Sequence, residues 1–244
     1  MTKTLVTEAR LYLREPLALF FPIFLPLMLL IGLGIIPGIN EPDPNRGGIR
    51  AMDGYLPSMM VFLAVVTMAV TILPGALVTY REQGVLRRMS TTPASPARLL
   101  YAILMINVAI CVAATVILIV VGGLVHDASP PRHLPGFLLV FALGTGAMLS
   151  IGLVLAAVIN SSKVAQAFGG VAMFPMLFVA GMWLPRENMP GALQVIGDVF
   201  VVGPFAEALH TTWLGQAPQI HNVAIMAAAV VICGVLATKL FRWE

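Results

Sequence analysis

Two stretches of this chain, Gly54–Tyr80 and Leu99–Val125, contain no charged residue. Each exceeds the roughly 20 apolar residues that carry a helix across a bilayer. The rest of the chain repeats the pattern. Apolar runs at Leu17–Pro37, Tyr55–Thr79, Ala97–Val125, Leu134–Ile159, Val164–Leu184 and Ile220–Leu240 predict six spans. Charged residues are 10% of the chain and hydrophobic ones 59%, against about 25% charged in a soluble domain. The predicted fold class is therefore an all-α polytopic membrane protein, one transmembrane domain over residues 1–244. No room is left for a soluble catalytic domain.

Orientation follows from the basic residues, which favour the cytoplasmic side. With the N-terminus inside, Lys3, Arg10, Arg14, Arg81, Arg87, Arg88, Arg98, Lys163, Lys239 and Arg242 face the cytoplasm, and only Arg46, Arg50, Arg132 and Arg186 face outward. Both termini are thus expected in the cytoplasm, in a multi-pass protein of the plasma (inner) membrane. The first run begins only after Arg14 and no A-x-A site follows it, so it reads as a retained anchor rather than a signal peptide. Before it, Leu5, Ala9, Tyr12 and Leu13 share one helical face, which predicts an interfacial helix over residues 1–15. Pro22, Pro26 and Pro74 lie inside predicted spans and should kink them or loosen their backbone bonding. A net charge of +3 does not point to nucleic acid.

Two segments depart from plain span-and-loop patterning. Tyr80–Pro96 is short, basic and helix-capable, with Val85, Leu86 and Met89 interleaved among Arg81, Glu82, Arg87 and Arg88. The charges hold it outside the bilayer, and the apolar residues suit docking to a cytosolic partner. Ser95 and Pro96 suit the cap and first position of the next helix. The second segment, Pro185–Gln219, is apolar but broken by Pro185, Pro190, Gly203 and Pro204. It predicts two helices, Pro190–Val202 capped by Asn188 and Pro204–Leu214 with Glu207 near its start, joined at Gly203. At 1.5 Å per residue each is about 20 Å or less, too short for a roughly 30 Å core. A hairpin dipping into the outer leaflet, packed on the other spans as a gate, accommodates them.

Catalytic chemistry is hard to place. The centres of the spans hold no Asp, Glu, Lys or Arg, only mild polar groups such as Thr67, Asn107, Thr115, Thr145 and Ser150. Intramembrane ionisable groups, which mark relays and ion-coupled transport, are missing. His126, His133, His210 and His221 sit at or beyond the outer ends of spans and form no metal-binding spacing, as Cys111 and Cys233 form no redox spacing. No G-x-x-x-x-G-K-[ST] occurs, so the chain is not expected to hydrolyse nucleotide or hold a cofactor or metal itself. A pathway lined by apolar and weakly polar side chains, with Met59, Phe62, Thr67, Met68 and Phe174 as candidates, and driven from outside the chain, fits best. The same Met and Phe spacing is also that of simple core packing.

The two unusual segments carry a resemblance. Tyr80–Leu100 has the Arg81-Glu82 pair, Gly84, Leu86 and Thr92-Pro93, and Ala180–Leu209 has Gly181, Leu184-Pro185, Met189-Pro190, Gly203-Pro204 and Glu207-Ala208-Leu209. In this order and spacing the chain resembles the membrane permease subunit of ABC-2 type transporters, close to drug- and antibiotic-exporter permeases. The resemblance implies a coupling helix within residues 81–92, with Arg81, Glu82, Gly84, Leu86, Arg87 and Arg88 at the contact with a separate cytosolic ABC ATPase. It implies two ATPase copies, which hold the ATP and Mg, and a second membrane subunit, identical or homologous. It also implies that residues 189–214 form the external hairpin, with Pro185, Pro190, Gly203, Pro204 and Glu207 at the gate. Arg87-Arg88 departs from the acidic residue that relatives often place there, which implies acidic residues on the ATPase cleft. The implied cargo is amphipathic or hydrophobic, a drug, antibiotic or lipid. A polysaccharide or lipid-linked glycan is the alternative, and an embedded enzyme or a scaffold explains the two segments less well.

Overall fold

The computed structural model describes Arg10, Tyr12 and residues 19–42, 48–85, 96–183 and 189–240. Every regular element longer than a turn among them is helical. The helices are α1 (Phe20–Gly34), α2 (Tyr55–Glu82), α3 (Pro96–His126), α4 (Leu134–Val158), α5 (Ser162–Val179), α6 (Gly191–Val199), α7 (Val202–Trp213) and α8 (Ile220–Leu240). Five of them, α2, α3, α4, α5 and α8, are long and apolar enough to cross a membrane, and α6 with α7 makes a pair bent by 92°. The chain is a multi-pass membrane protein. Its first apolar run differs from expectation in where the helix ends. Helix α1 ends at Gly34 rather than Pro37, because Ile35 and Ile36 leave helical bonding through tight turns to Gly32 and Leu33; Leu17 and Ala18 lie outside the described residues.

The bundle is organised around α2. In its most apolar stretch 83% of residues are buried, against 17–44% in the other four long helices. A helix apolar all round belongs inside, and α2 is enclosed by α1, α3, α4, α5 and α7. Successive long helices alternate in direction. One end of the bundle carries Tyr55 and Trp213, and the other carries Glu82 and the last turn of α8. The two are called below the Trp213 end and the Glu82 end.

Proline widens a turn in both α1 and α2. Pro74 has no N–H to give to Val70, so the preceding turn widens. Met68–Ile72 is a π-turn closed by the Leu73 N–H onto the Met68 carbonyl. The same happens in α1, where Phe20–Phe24 is a π-turn ahead of Pro26. The predicted loosening is thus a local widening. In α2 the widened turn is gripped by glycines. A Cβ on Gly152 of α4 would lie 2.1 Å from the Ala69 carbonyl oxygen, and one on Gly169 of α5 would lie 2.8 Å from the Val70 carbonyl oxygen and the Thr71 Cα. Only hydrogen at these positions lets the two helices close on the π-turn.

The α6–α7 bend differs from expectation. It falls at Val201, which has φ +63° and is buried, and not at Gly203. Val201 closes α6 by donating its N–H to Asp198, and Phe200 donates to Ile196. Gly203 and Pro204 instead occupy the first turn of α7, where a missing N–H leaves no intrahelical bond unmade. A β-branched residue at positive φ is an outlier, costing about 1–3 kcal/mol. It is tolerated because Phe205 anchors the next turn. The Phe205 ring lies where a Gly144 Cβ would be, about 2.0 Å from its nearest atom, and 5.6 Å from the Phe62 ring. Helix α6 starts at Gly191 with Pro190 as its cap residue, so Asn188, outside the described residues, does not take the position directly before the helix.

Gly152→Ala is expected to destabilise the protein by about 1–3 kcal/mol, since backbone rather than a flexible side chain must yield. Gly170→Ala, which meets nothing within 4 Å, should be neutral. Thermal unfolding of both variants in detergent checks the contrast.

Candidate functional site

The segment read as a docking element begins where α2 ends. Gln83 donates its N–H to Thr79 and Gly84 to Arg81, and Gly84 takes φ +65°. No atom would crowd a Cβ there, so the backbone angle explains this glycine. Val85 is helical again. Leu86, Arg87, Arg88 and the rest of residues 86–95 lie outside the described residues. Arg81 and Glu82 are not on a separate coupling helix. They form the last turn of α2, because helical bonding continues unbroken from Leu73 until Gly84 reverses it.

That position gives the pair a different task. Arg81 donates through Nη1 to the Ala156 carbonyl at 3.2 Å and through Nη2 to the Ile159 carbonyl. The first acceptor belongs to the last turn of α4 and the second to its cap residue, where backbone carbonyls lack intrahelical partners. Glu82 accepts from the Ser162 N–H at 3.1 Å and from the Ser162 hydroxyl at 2.5 Å. Ser162 is the first residue of α5, whose N–H groups are orphaned in the same way. A cation meets a helix C-terminus and an anion meets a helix N-terminus, each opposite the favourable end of the helix dipole. Two adjacent residues of α2 therefore clamp both sides of the tight α4–α5 turn. The expectation that places Arg81 and Glu82 at the ATPase contact does not include this clamp. The available signal was the shortness of Asn160–Lys163, which leaves little chain to satisfy the two helix ends locally.

A second anchor, further into the bundle, involves Tyr12. Its ring is buried against Ile106, Ile72, Ala76 and Ile110, and the Asn107 amide donates to its hydroxyl at 3.1 Å. The remainder of the predicted interfacial helix, apart from Arg10, lies outside the described residues.

At the Trp213 end, side chains lock the return leg α7 to the loops. The Trp213 indole donates to the Ser129 carbonyl at 2.8 Å, and the carbonyls of Trp213 and Thr212 accept from Arg132 and His133. Asp53 accepts from the Ser129 N–H and hydroxyl and pairs with Arg50 at 2.7 Å, while Arg50 also donates to the Asp127 carbonyl. Tyr55 donates to the Gly181 and Met182 carbonyls and meets His210 edge-on at 5.8 Å. Glu207 is half-buried and accepts from Gln219 at 3.3 Å. Pro190 is exposed, Gly203 and Pro204 are buried, and Pro185 lies outside the described residues. The gate candidates that are described thus fall on α6, α7 and their ends.

The pathway candidates separate. Met59, Phe62, Thr67 and Met68 are buried within this single chain, whereas Phe174 is exposed and stacks on Trp183 at 6.4 Å. The Thr67 hydroxyl donates back to Leu63 at 2.7 Å, and Thr115 and Ser150 do the same to Cys111 and Gly146. This local bonding satisfies polar groups in an apolar surround. Within this chain the four buried candidates pack in the core, and Phe174 lies on its surface. His126 meets the Ile31 carbonyl at 3.2 Å and His133 accepts from Gly136 N–H as a helix cap, so each has a structural task.

A bundle of membrane-crossing helices, with polar clamps at its two ends and back-bonded hydroxyls between them, defines an integral membrane protein built around packed helices. The chain belongs to the ABC-2 family transporter proteins, whose model matches residues 40–239. No curated protein and no solved structure matches it. Members of this family are transport subunits rather than the catalytic part, and they associate with an ABC ATPase and a membrane partner.

Burial pushes the Asp53 carboxyl up, but the Arg50 guanidinium and the two Ser129 hydrogen bonds outweigh it and hold the group below the ordinary aspartate range. A carboxylate with a lowered folded-state value adds stability above its unfolded value of about 3.9, and that stability is lost as pH falls through the lowered value. Asp53→Asn should cost about 1 kcal/mol at neutral pH, discounted for partial exposure. It should also flatten the loss of stability below roughly pH 4. Thermal melts from pH 7 to pH 3 read both effects.

Proposed function

We propose that this chain is the permease subunit of an ATP-driven exporter that moves an amphipathic or hydrophobic molecule, a drug, antibiotic or lipid, out of the cytoplasm or the inner leaflet. The match to ABC-2 transporters over residues 40–239 carries this reading. In it a separate ABC ATPase binds ATP and Mg, present in two copies beside two membrane subunits.

The Glu82 end is the cytoplasmic end. Arg81, Arg98, Lys163 and Lys239 belong to helix ends or turns on that side, whereas Arg50 and Arg132 pack at the other, in accord with the preference of basic residues for the cytoplasm. Both termini then lie inside, and α6–α7 is the external hairpin. Lengths support this role. Helices of 9 and 12 residues reach only about 14 and 18 Å, enough to enter the outer leaflet and return.

The segment after Gly84, up to residue 92, is the coupling element, with Leu86 as an apolar knob and Arg87 and Arg88 steering the fit to acidic groups on the ATPase. Arg81 and Glu82 act one step behind that contact. When the ATPases close, a push on the segment after Gly84 reaches the end of α2 and, through the clamp, the α4–α5 turn. Helix α5 rises from that turn to Gly181, which Tyr55 holds. Two routes thus lead from the ATPase contact to the hairpin, one along α2 and one along α5.

Co-expression with an ABC ATPase and measurement of ATP hydrolysis in nanodiscs tests the reading. Leu86→Asp is expected to lose the complex. Glu82→Ala and Arg81→Ala should keep the complex but lower cargo-stimulated hydrolysis about tenfold, which corresponds to roughly 1.4 kcal/mol of lost coupling. Unchanged stimulation in both clamp variants would remove the second route. Failure of the wild-type chain to associate with any ABC ATPase would remove the permease reading.

A further inference from the structure

A cavity of about 220 Å³ lies where α6 turns toward α7, between that bend and helices α2, α4 and α5. Val70, Ile151, Ala172, Pro175, Gly197 and Phe200 are among its walls, and every lining residue is apolar. It sits at mid-depth, since Val70 belongs to the π-turn of α2. Of its lining residues, Phe168, Ile196 and Phe200 are 46%, 46% and 50% exposed, so the cavity is open to the surroundings of the bundle. Water gains nothing there, because an ordered water needs two to four polar partners. A void of this size left empty destabilises a packed bundle.

We infer that this cavity seats the acyl chain of a membrane lipid, which wedges α6 away from α5 beside the Val201 bend. Size restricts the occupant. A benzene ring occupies an apolar cavity of about 150 Å³, so a bent stretch of alkyl chain fits this one. Position indicates where the lipid comes from. Phe174 and Trp183 stack on each other, 62% and 56% exposed, toward the Trp213 end of α5. Exposed tryptophan marks headgroup depth, and Phe174 adjoins Pro175 in the cavity wall. A lipid with its headgroup at Trp183 thus reaches the cavity with its tail.

The seat lies between two deformable points. Pro175 interrupts the backbone bonding of α5 from inside the helix, and Val201 holds a left-handed conformation at the α6–α7 joint. A chain in the cavity bears on both, so its presence sets how far the pair can fold toward α5. The inference stands on the cavity and its neighbours and does not depend on the exporter reading.

The test uses the full chain in nanodiscs of phosphatidylglycerol and phosphatidylcholine that contain a phosphatidylcholine with a diazirine near the middle of one acyl chain. After irradiation, labelled peptides are mapped by mass spectrometry. Residues 172–179 and 196–200 should label at least fivefold more than the exposed face of α3 around Val112, Val116 and Val120. Ala172→Phe, which fills the cavity, should lower that labelling at least fivefold and leave α3 unchanged. Ala172→Leu serves the same purpose if the larger ring prevents folding, which thermal melting reveals. Uniform labelling, or labelling insensitive to both substitutions, overturns the proposal. Labelling of the cavity by a single-chain alkyl diazirine but not by the phospholipid probe would assign it to a single-chain cargo, and would equally overturn the lipid assignment.

Discussion

Pro74 removes one N–H from the most enclosed helix of the protein, and much of the bundle is arranged around the consequence. With no donor for Val70, the backbone widens into the Met68–Ile72 π-turn. In hydrocarbon a widened turn exposes polar backbone that water cannot reach, so neighbouring protein must cover it. Gly152 and Gly169 supply the cover by approaching so closely that neither tolerates a Cβ. The depth and mutual rotation of α4 and α5 against α2 follow from those two contacts. Once both are seated on α2, the α4–α5 turn has to lie beside the end of α2, which is where Arg81 and Glu82 find it.

The same requirement explains the polar chemistry at the ends. Each helix leaves orphan carbonyls at one end and orphan N–H groups at the other. The tight turn after α4 cannot satisfy its own, and a charged pair from a third helix does so. At the Trp213 end, main-chain donors of Arg132 and His133 take the last carbonyls of α7, and the indole of Trp213 takes the Ser129 carbonyl in exchange. Between the ends the polar groups are few, and among them Asn107 Oδ1 and Thr145 Oγ1 are buried with no hydrogen-bond partner among the described residues. The hydroxyls of Thr67, Thr115 and Ser150 bond within their own helices.

The span pattern was legible because hydrophobic length is a direct consequence of bilayer thickness. The runs beginning at Tyr55, Leu134 and Ile220 become helices with the same first residue. Proline positions were legible as sites of loosened bonding, though sequence alone does not distinguish a kink from a π-turn. The α6–α7 bend was legible as existing but not in place. Glycine is the usual residue for positive φ, so Gly203 was the natural choice. The actual joint depends on Phe205 finding the space left by Gly144, sixty-one positions away in the chain. The roles of Arg81 and Glu82 were hidden for the same reason. Their neighbourhood in sequence is a basic segment, and their neighbourhood in space is the end of another helix pair.

The strained residue and the interrupted helix are placed where movement would have an effect. A buried valine at positive φ persists only if its surroundings over-determine it. Here Phe205 and the Trp213 contacts hold α7 fixed on one side of Val201, while among the described residues α6 on the other side packs chiefly on α7 and α5. Displacement of the pair would therefore be taken up by α6, with Val201 as pivot and α5 as the surface it moves against. Helix α5 is bounded below by the Glu82 clamp and above by Tyr55, with Pro175 between them. A shift of the α4–α5 turn would bend α5 near Pro175, where its backbone bonding is already interrupted, and so change the surface that α6 rests on. The clamp at one end and the bend near the other are thus joined by one helix whose weakest point faces α6.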